Sequence, residues 1–273
     1  MTNFEILKTR EEGGVLFATI DCPPINLFGP TFVRDLAGLI DLVKDNDALK
    51  VVVFKSADPE YFIAHVNMAT RAEMMADLVR LFSQPKAATL LYRLAEARVV
   101  TIAQIAGRTR GIGSEFALAC DMRFASRERA ILSQPEVGVG LIPGAGGIGN
   151  LVRLMGRGRA LEAALGGEDF SADLAERYGW INRALPDSEL DGFVSDFARR
   201  IASFPKAALM TIKDRSNLIG FASLEELEKD NEIFSQTAGT PETQRRVKML
   251  FEQGMQQRSE VELNFGRAIA ELG

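Results

Sequence analysis

Short apolar runs alternate with amphipathic stretches through the first half of the chain. Residues 15–20 predict a strand that ends at the turn Cys22-Pro23-Pro24. Pro30 then opens a helix on which Phe32, Val33, Leu36, Leu39, Ile40 and Val43 recur with the 3.6-residue period. Residues 51–54 are a short, wholly apolar strand, and 99–106 form another. Strand, helix and strand at this rhythm predict an α/β protein with buried parallel pairing. Between these strands, 69–98 read as helix interrupted at Pro85, since proline removes an intrahelical donor and crowds the preceding turn.

A helix is expected to begin over 115–120, with a strand at 121–125 after it. A further helix should cover 151–165, and a shorter one 171–178, stopped by Gly179 and followed by a strand at 180–185. Leu190, Phe193, Val194, Phe197 and Ile201 again have helical spacing. Beyond about residue 205 the strand pattern stops. Residues 224–234 are charged and helical, and Thr240-Pro241 is an N-cap and first-turn pair for a last long helix that Gly254 should end. The chain therefore divides into an α/β core at 1–204 carrying the active site and a helical region at 205–273. That region cannot easily bury its apolar face alone, so it should pack on the core or on a neighbouring subunit. No internal repeat or low-complexity linker interrupts this order.

With 273 residues, 47% of them hydrophobic and 25% charged, the composition is that of an ordinary globular chain with a sizeable core. A formal charge of −5 supplies no basic excess for nucleic acid, though a small phosphorylated ligand needs only a few local cations. Cys22 and Cys120 form no framework and read as small hydrophobes in a reducing compartment. His65 is the only histidine, so zinc sites and Ser–His or Cys–His nucleophiles are poorly supported, and no metal is expected. The N-terminus lacks a basic segment followed by an apolar one, and no window offers the roughly 18 apolar residues of a membrane span. A cytoplasmic protein without a membrane partner is the expectation.

Two glutamates in glycine-marked stretches are the candidate chemistry. Glu115 follows Arg110-Gly111-Ile112-Gly113-Ser114, and Glu136 lies in Ser133-Gln134-Pro135-Glu136-Val137-Gly138. They are too far apart for one helix face, yet close enough to converge after a strand and a turn. Taken alone, Glu115 reads as a carboxylate stabilised in the first turn of a helix, and Glu136 as a solvated loop residue. Gly111 and Gly113 shift that balance, because glycines let backbone N–H groups approach a ligand at a helix N-terminus, as an oxyanion hole requires. A carboxylate pair aimed at one point can hold a water and move its protons both ways.

Gly144-Ala145-Gly146-Gly147-Ile148-Gly149 matches a dinucleotide fingerprint, but Pro143 precedes it instead of a strand. Its glycines more simply let a helix start pack beside Glu136. His65, in the loop Tyr61-Phe62-Ile63-Ala64-His65-Val66-Asn67-Met68, reads as solvated or hydrogen-bonding, while its loop could supply a second backbone donor facing the one near Ile112. The pairs Arg108/Arg110 and Arg127/Arg129 read as solvated faces, and the apolar residues over 74–82 as core or pocket lining.

Taken in order, these segments resemble the enoyl-CoA hydratase/isomerase (crotonase) superfamily. Pro23-Pro24-Ile25-Asn26 is similar to its P-P-x-N turn, and Phe62 to Met68 to its F-x-A-G-A-D-L loop. Residues 111–121 resemble its G-G-G-x-E-L-A-x-x-C-D segment, and Gln134-Pro135-Glu136 with 140–147 its Q-P-E…G-x-x-P-G-x-G-G segment. The resemblance implies a spiral of ββα units with a C-terminal helical oligomerisation region, forming homotrimers or homohexamers. It implies an acyl-CoA substrate, with coenzyme A as part of that substrate and no separate cofactor. Glu115 would be the base that activates water, and Glu136 the acid that protonates the α-carbon. The Val66 and Ile112 N–H groups would form the oxyanion hole, with Ala64, His65, Asn67, Met68, Gly111 and Gly113 around the substrate. The chain departs from the pattern at His65, where Gly is usual, at Asn67, where Asp is usual, and by one extra residue near 126–129. The same scaffold carries isomerases and thioester hydrolases, and a non-catalytic acyl-CoA-binding protein is the reading outside enzymes. Retention of both acids favours hydration of a trans-2-enoyl-CoA to a 3-hydroxyacyl-CoA.

Overall fold

A computed structural model describes residues 4–44, 46–84 and 86–273. In chain order, β1 (Leu7–Glu12) and β2 (Val15–Ile20) precede α1 (Pro30–Lys44), followed by β3 (Val51–Ser56), β4 (Tyr61–Ile63), α2 (Arg71–Phe82) and α3 (Ala87–Ala95). Next come β5 (Val100–Ile105), β6 (Arg108–Arg110) and α4 (Ile112–Ala119), then β7 (Met122–Ser126), β8 (Ile131–Ser133), α5 (Gly147–Met155) and α6 (Arg157–Gly166). After β9 (Phe170–Ser171), α7 (Ala172–Tyr178), β10 (Arg183–Leu185) and α8 (Asp187–Ala202), only helices follow among the described residues. These are α9 (Lys206–Gly220), α10 (Leu224–Ala238), α11 (Pro241–Glu252), α12 (Glu260–Leu263) and α13 (Phe265–Ala270).

The strands divide between two sheets. One has the order β1-β2-β3-β5-β7-β10 and the other β4-β6-β8-β9. Three times in succession a strand enters the large sheet, the next enters the small sheet, and helix follows, which is the expected spiral of ββα units. Pairing is parallel except at the β1–β2 and β8–β9 edges. Both faces of the large sheet are covered. Val52 and Phe54 point into the main core, while Val51 and Val53 pack with Leu190, Val194 and Ile201 of α8. This is why strand 51–54 reads as a continuous apolar run rather than an alternation.

Several expectations change. Strand β1 carries Lys8, Arg10, Glu11 and Glu12 outward on a sheet edge, so no apolar alternation announces it. Strands β4, β6, β8 and β9 are two or three residues long, too short to display a period. The strand expected over 180–185 shrinks to β10, with Trp180 and Ile181 buried in the approach to it. The single helix expected over 151–165 is two, α5 and α6, divided at Gly156. Its backbone at φ 80° and ψ 158° lies outside any helical region and is one that glycine adopts readily. Helices α2 and α3 flank the break expected at Pro85, which itself lies outside the described residues, as do Met1 to Asn3. Helix α11 ends at Glu252 before Gly254, and two short helices follow it rather than none.

The C-terminal helices pack on their own chain. Leu250, Met255, Phe265, Ile269 and Leu272 form a cluster with Val139 and Leu141, just beyond Glu136. No helix among the described residues is long and apolar enough to cross a membrane.

Candidate active site

Three segments meet at one cavity. The turn after β6 places Gly111 at φ 53° and ψ −124°, and α4 starts immediately, which sets Glu115 in its first turn. After β7 and β8, a 3-10 turn at Glu136–Val139 begins with Glu136. Helix α5 then arrives N-terminus first. Asn26 ties the β4 segment in place, accepting from Cys22 N at 2.8 Å and donating to Ser56 Oγ at 2.8 Å and to the Tyr61 and Phe62 carbonyls at 3.2 Å. An isolated bridge between Phe28 and Val66 fixes the loop that follows β4.

The cavity, of about 100 Å³, is lined by Glu115 and Glu136 together with His65, Val66, Met68, Gly111 and Ile112. Space of that size holds several waters, each needing roughly 10–15 Å³ by the same measure. Among the described residues no hydrogen bond engages the N–H of Val66 or of Ile112. Ala64, Asn67 and Gly113 stand off the wall. Ala64 packs with Ile25, Leu27 and Tyr61, while Asn67 accepts from Thr70 N at 3.1 Å and starts the turn into α2. Gly113 faces backbone: a Cβ there would lie 2.2 Å from the Ile63 carbonyl oxygen, so close approach of α4 to β4 requires glycine. The placement of these three is thus structural rather than within the cavity wall.

Glu115 and Glu136 are both buried, yet differently partnered. Glu115 Oε1 accepts from Ala145 N at 2.6 Å and from Gly147 N at 2.9 Å. The glycine segment expected beside Glu136 therefore closes on Glu115, where the N-terminus of α5 presents free N–H groups to a carboxylate. Glu136 has the Gln134 Nε2 amide, at 3.3 and 3.4 Å from its two oxygens. Burial pushes both carboxyls above the usual range. The two backbone N–H groups oppose this at Glu115, whereas the charge of Glu115 raises Glu136 further. Of the two, Glu115 is thus the better placed to carry a charge and Glu136 to retain a proton.

The remaining wall is largely apolar, with Arg71 and Asn231 as its polar members, and draws on distant parts of the chain. Met74 and Met75 come from the 74–82 stretch read as core or pocket lining and Ala87 from the start of α3, but Phe234, Val247, Met255 and Phe265 come from beyond residue 204. Helical periodicity shows that the C-terminal helices bury a face without showing what they bury it against. Two other residues are buried in three dimensions, His65 in the hydrogen-bonding role, one of the two readings open to it, and Arg110 against expectation. His65 is buried, with Nε2 2.8 Å from Glu262 Oε1 and its ring stacked on Phe265. Arg110, expected on a solvated face, has 0% exposure and donates to both oxygens of Asp169 and to the Glu262 carbonyl. Arg108 donates to the Leu263 carbonyl, while Arg127 and Arg129 are solvated and paired with Asp173 and Asp187. Among the described residues no cluster of three His, Cys, Asp or Glu side chains is placed to hold a metal, and both cysteines are free thiols.

Comparison with known proteins shows the family and the fold. The enoyl-CoA hydratase/isomerase family model matches residues 10–259. The chain is 30% identical over 209 residues to the short-chain-enoyl-CoA hydratase of Clostridium acetobutylicum, covering 76% of this chain and 79% of that one. A crystal structure from Streptomyces avermitilis, provisionally named an enoyl-CoA hydratase, superposes with a TM-score of 0.97 at 47% identity, over 100% of this chain and 99% of that chain. An enoyl-CoA hydratase from Mycobacterium avium subsp. paratuberculosis K-10, at 22% identity, shares the fold with a TM-score of 0.79 over 92% of this chain and 97% of its own.

Proposed function

Because the chain belongs to the enoyl-CoA hydratase/isomerase family, we propose that it adds water across a trans-2-enoyl-CoA to give a 3-hydroxyacyl-CoA. The observation that carries this reading is the inequality of the two buried carboxyls on one cavity wall, beside two uncommitted backbone N–H groups. Glu115 takes a proton from water and the resulting hydroxide bonds to the β-carbon. Electrons move onto the thioester oxygen, where the Val66 and Ile112 N–H groups stabilise the enolate. Glu136 delivers its proton to the α-carbon as the carbonyl reforms. The proton gained by Glu115 then returns to Glu136 through solvent, and the pair is reset. Coenzyme A enters as part of the substrate and no other cofactor takes part.

The test is the loss of enoyl-thioester absorbance with crotonyl-CoA and longer homologues, with identification of the product. A 3-hydroxyacyl thioester is expected. A moved double bond or free CoA would replace hydration by isomerisation or thioester hydrolysis, and absence of turnover across the chain-length series would sink the hydratase reading. Substituting Glu115→Gln or Glu136→Gln should each lower kcat by roughly 10²–10⁴, the scale of a lost acid or base.

Two further features belong to the same reading. Arg71 lines the cavity over the Phe234 ring and forms no ion pair among the described residues, so it is suited to an anionic part of the ligand. We take that part to be a CoA phosphate. Arg71→Met should raise KM for crotonyl-CoA several-fold and leave KM for crotonyl-pantetheine, which has no phosphates, unchanged. Assembly as a homotrimer or homohexamer is the second feature. Ile212, Leu218 and Ile219 of α9 are 66, 73 and 77% exposed, an apolar surface suited to a second copy of the chain.

A further inference from the structure

The Val66 amide that we read as an oxyanion donor is flanked by carbonyls that are both held. Its own peptide ends in the His65 carbonyl, which accepts from Phe28 N at 2.9 Å. The next carbonyl, that of Val66, accepts from Gln256 Nε2 at 2.9 Å and lies 3.0 Å from His65 Nδ1. Gln256 also reaches forward, its Oε1 accepting from Ala69 N at 3.3 Å. One carboxamide from 190 positions downstream thus brackets the loop that carries the donor. The backbone of Gln256 is itself unusual, a non-glycine residue at φ 69°.

A buried carboxylate joins the two residues that hold Val66, through the His65 ring and the Gln256 backbone N–H. Glu262 Oε1 accepts from Gln256 N at 2.6 Å and lies 2.8 Å from His65 Nε2. Arg110 secures the same residue by donating to the Glu262 carbonyl at 2.6 Å, and Phe265 stacks beneath the His65 ring with centroids 5.4 Å apart. Burial alone would raise the Glu262 carboxyl, but His65, the Gln256 N–H and Arg110 outweigh it and hold it below the usual range. The anion is therefore the stable form. Leaving such a charge without partners is strongly destabilising, which makes the arrangement mutually dependent.

We propose that Gln256, His65 and Glu262 are positioning residues that clamp the Val66 peptide, so that residues from the C-terminal region set one half of the oxyanion hole. The inference rests on the reading of Val66 as a thioester donor. The Val66 N–H shares its peptide with the His65 carbonyl, so the hydrogen bond from Phe28 N to that carbonyl polarises the donor. The clamp itself holds the next peptide, and so keeps the donor within the narrow distance range at which oxyanion stabilisation operates.

The experiment compares wild type, Gln256→Ala and the isosteric Gln256→Glu, which keeps the volume and loses the donor. Both variants should lose roughly 10–10² in kcat, the scale of a small donor displacement, with KM changing less than about threefold. A second readout is the infrared stretch of a ¹³C-labelled thioester carbonyl in bound butyryl-CoA, which does not react. The wild type should shift it to lower frequency than in solution, and both variants should move it back. A kcat within twofold of wild type in both variants would overturn the clamp, and so would a fall in kcat with the carbonyl frequency unmoved. If no form turns over enoyl-CoA but the variants still move the carbonyl frequency, the clamp stands and the hydratase reading falls. If the wild type itself leaves the carbonyl unshifted, the Val66 donor and the clamp fall together. Should Gln256→Ala not fold, Gln256→Glu carries the same outcomes.

Discussion

Glu115 and Glu136 differ less in burial than in what faces them, and that difference has a measurable consequence for stability. An unfolded glutamate titrates near 4.5, whereas both folded carboxyls titrate higher. Between those values the native state holds a proton that the unfolded chain has released, so stability falls as pH rises through the window. Glu136→Gln removes the larger part of this cost. At about pH 8 the variant should melt several degrees above the wild type, with the difference fading toward about pH 4. Thermal unfolding across that range checks it, and a variant less stable than wild type at the upper end would contradict the account. At this scale the sequence was informative about glycines and carboxylates in fixed order. It could not show that Ala145 and Gly147 serve Glu115 or that Arg110 is buried, because such partners are chosen by distant strands. Arg110 looks like any solvated arginine until Asp169 and Glu262 are placed around it.

Elements with a strong period were legible, and those without one were not. Helix α1 and strands β2, β3 and β5 lie where their apolar spacing predicts them. The small sheet was invisible because β4, β6, β8 and β9 owe their extended form to one another, through pairings that no local pattern encodes. The divided helix α5/α6 shows the same limit, since Gly156 inside an apolar period reads as tolerated until its φ of 80° is seen. Gly156→Ala should therefore destabilise by about 1–3 kcal/mol, the usual cost of forcing a side chain into such a conformation, although nothing lies within 4 Å of where its Cβ would sit. Denaturant unfolding measures this directly. An unchanged midpoint would mean that the helix break relaxes at little cost.

For the whole molecule, the strands among the described residues all precede residue 204, yet part of the cavity wall comes from α10, α11 and the segments after them. Assembly is the property most open to test at this scale. Light scattering should give three or six times the 29.9 kDa chain mass, and Ile212→Lys with Ile219→Lys should lower it if α9 forms the contact. The chain fold should survive that change, because both side chains are exposed in the protomer. The C-terminal packing also bears on behaviour under heat. Helices α12 and α13 are only four and six residues long, and helices so short have little stability of their own. They should open more readily than the sheets, as a separate unit of local unfolding. On warming, catalysis should therefore fade while Trp180, buried in the main core, still reports a folded protein, and cooling from that point should restore activity.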